Sequence, residues 1–176
     1  MKRTALALAV LFATPAIAQS QEANPGVAGI KGAWTIQSNY FTRAAEQVSE
    51  ADYAYKPVET VRSFGELVAH VAGAQNMFCA AVLGEAMKPE DDIEKTAKGK
   101  AAIVAALKAS NEYCARAHAI TDASAAGNVK FFGADHSKMW VLALNASHVG
   151  EHYGNAVTYL RMKGMVPPSS QPRSGQ

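Results

Sequence analysis

The chain reads as all-α: a four-helix bundle, a variant of the up-and-down kind. Three observations predict it. Four segments of about 20 to 27 residues carry apolar residues at helical spacing. The one segment with extended character, Val129 to Gly133, shows no partner strand. No repeat of roughly 30 to 45 residues is visible, which speaks against a solenoid. With 176 residues, 49% of them hydrophobic and 18% charged, the chain can pack one domain and has little room for two. Two Cys are too few for a disulfide-stapled scaffold or a Cys-rich zinc site. A net charge of +2 gives no reason to expect nucleic acid as a partner.

Residues 1–18 read as a secretory signal peptide. Lys2 and Arg3 precede the apolar run Ala5–Ala13, and Ala16-Ile17-Ala18 gives the small-x-small cleavage pattern. The run is short for a membrane span. No Cys follows it, so a lipid anchor is not indicated. Cleavage after Ala18 leaves a soluble, exported chain with 15 basic and 15 acidic residues, expected in a bacterial periplasm and free of the membrane.

The bundle is expected over residues 19–168. Gln19–Gly26 is polar and reads as a leader to the first helix. Val27–Val48 repeats Ile30, Trp34, Phe41, Ala44 and Val48 at helical spacing. Ala51–Arg62, broken at Lys56-Pro57, is a long connection and hence a candidate pocket lining. Ser63-Phe64-Gly65-Glu66 is a capping-box pattern that starts the second helix, and Gly84 stops it. Lys88–Lys100 reads as a solvated loop. The third helix runs over Gly99–Ala119, with His118 in its last turn as a surface cation. Asp135 or Ser137 caps a last helix that ends near Gly164. His136, beside that cap, reads as a surface residue. Residues 169–176 are polar and read as a disordered tail.

An exported chain can hold a disulfide. If successive helices run antiparallel, Cys79 and Cys114 are offset by roughly 15 Å along the axis. A bridge needs Cα atoms within about 7 Å. The pair is therefore expected to stay unbridged.

The chemical signal lies in the histidines. His148 and His152 are four apart and share a helix face, a spacing that suits one divalent ion. The same stripe holds Asn145, Asn155 and Tyr159 and no Lys, Arg or Glu, so it reads as a pocket wall. His70 lies among the apolar residues of the second helix. With the second and fourth helices parallel, it meets the pair at similar depth, and Gly73 and Ala74 leave room beside it. A His₃ site with an open position follows. The run His148–His152 also matches H-x-x-E-H, a peptidase signature. That chemistry needs a further acidic ligand downstream, and no Asp or Glu follows Glu151. Glu151 is therefore expected on a solvated face. Nucleophile-elbow, phosphate-loop, haem-attachment and dinucleotide motifs are absent from the sequence.

Two stretches carry a family resemblance. Tyr55-Lys56-Pro57 with Val61–Ala72 resembles the second-helix signature of DinB-like proteins. His148–Asn155, continuing through Tyr159–Pro168, resembles their last helix and its exit. The resemblance implies a four-helix bundle, often a homodimer, that binds one divalent metal through His70, His148 and His152. Relatives include thiol-dependent transferases and isomerases, which implies a small-molecule substrate and offers a thiol as cosubstrate. The better-understood relatives act in the cytoplasm, and the leader departs from that pattern. Zn²⁺, Ni²⁺ and Fe²⁺ all suit three imidazoles. The leading expectation is a metal-dependent transferase or hydrolase, with Asn145, Asn155 and Tyr159 in the pocket. The alternatives are a non-catalytic metal- or ligand-binding bundle and a purely structural one.

Overall fold

The computed structural model describes residues 23–172. The predicted leader, and residues 173–176 of the tail, lie outside the described residues. Four long helices form the bundle: α1 (Pro25–Gln47), α2 (Phe64–Leu83), α4 (Gly99–Ala117) and α6 (Lys138–Met162). Between them lie two short helices, α3 (Asp92–Thr96) and α5 (Asp122–Ala125), and a hairpin of β1 (Asn128–Phe131) and β2 (Ala134–Ser137).

The helix ends follow local chemistry. Pro25 opens α1, where its missing N–H costs nothing. The next two amides, Gly26 and Val27, donate to the Asp122 carboxylate at 3.0 and 2.8 Å. That anion also suits the positive end of the helix. Asn24, Pro25 and Gly26, the end of the segment read as a leader, thus form the helix start. At α2, Ser63 and Glu66 form the predicted capping box, and Gly84 takes the left-handed conformation at φ 72°. Ser137 caps α6 by accepting from the Trp140 amide at 3.1 Å. Gly164, also at φ 72°, closes its far end.

Helix directions follow from cross-helix pairs. Tyr40 stacks on Tyr153 and Gln37 packs on Gly150, so α1 and α6 run parallel. Cys79 meets Asn145 while Phe64 meets Tyr159, so α2 and α6 run antiparallel. Gln75 meets Asn111 and Glu85 meets Arg116, so α2 and α4 run parallel. The order is up, down, down, up. This corrects two expectations, that α2 and α4 are antiparallel and that α2 and α6 are parallel. The reason is the connection from α2 to α4. It does not turn back as a hairpin but travels the length of α2, carrying α3, and starts α4 at the same end. Gly73 lets it pass, because a Cβ there would collide with the Glu90 carbonyl oxygen. The room expected beside His70 is filled by this backbone.

Parallel helices remove the axial offset that argued against a disulfide. Cys79 and Cys114 are bridged, with Cα atoms 5.3 Å apart. Around the bridge lies a buried polar layer. Trp34 Nε1 donates to Gln75 Oε1 at 2.7 Å, and Gln75 Nε2 donates to Asn111 Oδ1 at 2.8 Å. His118 belongs to this layer rather than to the surface. It is 1% exposed and its ring stacks on Trp34 at 4.5 Å. The sequence places His118 at a helix end, but α1 covers that end.

Burial first, and the Lys31 charge second, push the His118 imidazole from 6.5 down to about 4. The unfolded chain protonates it below 6.5 while the fold keeps it neutral, so stability falls as pH drops through that window. His118→Gln should flatten the pH dependence by about 2 kcal/mol between pH 7 and pH 5 in urea titrations of the metal-free protein. An unchanged slope would contradict this account of His118.

Two further corrections concern polar segments. β1 finds its partner in Ala134–Ser137 through a two-residue turn, with Phe132 at φ 47° and Gly133 at φ 81°. The partner strand is too polar to be read from alternation. Ser169, Ser170 and Gln171 are docked rather than disordered. Tyr153 donates to Ser169 Oγ at 2.8 Å, and Gln171 bonds Arg43 at 2.5 Å. Hydrogen bonds hold this stretch where apolar residues are lacking.

Candidate metal centre

Three imidazoles converge between α2 and α6. One ring nitrogen from each of His70, His148 and His152 lies within 4.8 Å of the others. His148 Nε2 and His152 Nε2 are 3.0 Å apart. Two nitrogens on one tetrahedral zinc stand about 3.3 Å apart, so the pair is close to ligating geometry. His70 supplies the third nitrogen from α2. The antiparallel packing brings it level with the pair, because His70 lies near the start of α2 and His152 lies beyond the middle of α6.

Each ring is held in orientation. His70 Nδ1 donates to Glu94 Oε1 at 3.1 Å, which leaves Nε2 with the free lone pair. Glu94 Oε2 accepts from Arg62 Nε at 3.0 Å, so one carboxylate ties the crossover to both His70 and the 51–62 connection. His152 Nδ1 lies 3.3 Å from Asn155 Nδ2, an amide N–H that donates to the ring nitrogen. His148 Nδ1 is buried without a partner, so the polar contact of that ring must come from its Nε2 side.

The two imidazoles of α6 are poised as neutral donors. Burial, then the neighbouring His152, His70 and Arg62, push His148 down to about 3. Burial, then His70 and Arg62, push His152 down to about 4. These two neutral rings expose lone pairs at pH 7, and a cation can draw on them together with the His70 nitrogen. The donor set therefore fits a divalent metal.

Beside His152 a cleft of about 490 Å³ opens to solvent. Asn155 and Tyr159 line it from α6, Leu67 from α2, and Thr60, Val61 and Arg62 from the 51–62 connection, which was expected to line a pocket. The Tyr159 hydroxyl donates to the Arg62 carbonyl at 2.7 Å, so it positions the connection rather than pointing freely into the cleft. Asn145 goes elsewhere. It is fully buried, and its amide lies 3.6 and 3.7 Å from the two disulfide sulfurs. Glu151 is exposed, as expected for a solvated face. His136 is half-buried, stacked on Trp140 at 3.8 Å, and takes no part in the cluster.

Glu94 and Arg62 are the site residues that the sequence did not single out. Glu94 sits in a run of charges that reads as solvated. Nothing in its spacing points to His70, because the contact depends on the path of the crossover.

The comparisons with known proteins agree with this architecture. The profile of a family described as the DinB superfamily matches residues 33–156. A DinB-like protein from Bacillus cereus superimposes with a TM-score of 0.69 at 16% identity, covering 80% of this chain and 95% of that one. One from Bacillus subtilis gives 0.65 at 24% identity, covering 82% and 99%. At these identities the likeness is one of fold. No curated protein matches the chain by sequence.

Proposed function

The chain belongs to the DinB superfamily, and on that premise we propose that it is an exported metal-dependent enzyme of transferase or hydrolase type. The observation that carries this reading is the convergence of His70, His148 and His152 next to an open cleft. These three residues would hold one divalent ion, Zn²⁺, Ni²⁺ or Fe²⁺. Such an ion supplies Lewis acidity toward a substrate oxygen or sulfur.

The chain's own residues do the rest. Glu94 fixes the His70 tautomer, as carboxylates behind metal-ligating histidines do. Asn155 holds the His152 ring from its Nδ1 side. Leu67 and Val61 give the cleft apolar walls, which exclude water from one side of a bound molecule. Among the described residues no carboxylate lines the cleft. This last observation favours a second reading, a metal-binding bundle without catalysis.

The Cys79–Cys114 bridge supports export, because such bonds persist in oxidising compartments. Homodimerisation is proposed on the family resemblance alone.

The test is a rate comparison. Metal-loaded and chelator-stripped protein are assayed for hydrolysis of p-nitrophenyl acetate and for transfer of a thiol to an electrophilic acceptor. The enzyme reading expects turnover by the loaded form that stripping removes and metal restores. Equal background rates in both forms would leave the non-catalytic reading standing.

A further inference from the structure

We infer that the cleft beside His152 takes a small organic carboxylate, with Arg62 as the residue that receives its anionic group. The inference rests on the proposed site for its location and deepens it by naming the substrate class.

The charge distribution carries the argument. Arg62 is the one fixed charge among the described residues that line the cleft. Its Nε is committed to Glu94 Oε2 at 3.0 Å, which anchors the head group and spends one donor of five. The side chain is still 41% exposed, and among the described residues only its Nε has a hydrogen-bond partner. An anchored guanidinium with free donors matches the two oxygens of a carboxylate.

Glu94 offsets part of this charge through the Nε contact and leaves the other guanidinium donors to a ligand. Glu94 lines the neighbouring cavity on the other side of the connection, and so does Glu66. Glu66 accepts from the Ser63 amide at 2.6 Å and pairs with Lys56 at 3.5 Å. Glu66 is thus already partnered, and Glu94 is shared between His70 and the Arg62 Nε. Other lining groups suit the remainder of such a ligand. Thr60, Thr158 and Asn155 offer hydrogen bonds, while Val61 and Leu67 offer apolar contact.

Benzoate and its neutral isostere benzamide test the inference by calorimetric titration of both metal-free and Zn²⁺-loaded protein. Benzoate should bind at least about tenfold more tightly than benzamide in the metal-free form, where no metal can attract it. Arg62→Gln should abolish that preference, and Arg62→Lys should keep part of it. The circular dichroism spectra should match wild type, since the side chain is exposed. Equal binding of the two probes, no binding of either, or a preference that survives Arg62→Gln would overturn the inference. A benzoate preference in a protein that takes up no metal would refute the metal site and leave the carboxylate site standing. Metal uptake without a preference would do the reverse.

Discussion

His148→Ala should abolish retention of a divalent metal by the purified protein. The loss should exceed the roughly hundredfold cost of removing an outer partner of a metal ligand, because a ligand itself is gone. The bundle should survive the change. His148 is half-buried, its Nδ1 is unpartnered, and the ring removes no hydrogen bond beyond the cluster when it leaves. Titration of the stripped protein with Zn²⁺ reads the affinity, and circular dichroism reads the helices. Metal uptake equal to wild type would show that the three rings are not the ligand set.

Removing the disulfide should have the largest effect on stability. The bridge closes a loop over a sequence separation of 35 and ties α2 to α4 through the buried layer. Chain entropy alone puts its contribution at about 4 kcal/mol. That is a large part of the 5 to 15 kcal/mol typical of a domain, roughly. Urea titrations of the Cys79→Ala, Cys114→Ala double variant should show this loss, and wild type in reductant should approach it. The variant should also become insensitive to reductant. A difference below about 1 kcal/mol would mean that packing between α2 and α4 alone holds the pair.

What could be read from the sequence was whatever is encoded locally. The capping box at Ser63 and the stop at Gly84 involve neighbours in the chain, and both are where the pattern put them. His148 and His152 share a face because four residues make about one turn. The path of the crossover is encoded differently. It depends on Gly73 letting the Glu90 backbone lie against α2, a contact between residues 17 apart with no pattern to announce it. Everything that follows from that path was hidden with it: the parallel pair α2 and α4, the disulfide, and the reach of Glu94 to His70. The burial of His118 was hidden for a similar reason, since the covering Trp34 comes from α1.

The stripe of Asn145, Asn155 and Tyr159 divides along the same line. All three lie on one helix, as spacing requires. Their neighbours differ because α6 passes two layers of the bundle. Asn145 meets the disulfide layer, while Asn155 and Tyr159 meet the cleft. Helical spacing gives the face, and only packing gives the level at which a residue meets its partners.

The central claim is that His70, His148 and His152 hold one divalent ion. Elemental analysis of the purified protein, dialysed after loading with Zn²⁺, Ni²⁺ or Fe²⁺, tests it most directly. The account predicts one equivalent of metal per chain for at least one of these ions, and none in His70→Ala or His148→Ala. Protein that retains no metal under any loading, or variants that retain as much as wild type, would contradict it.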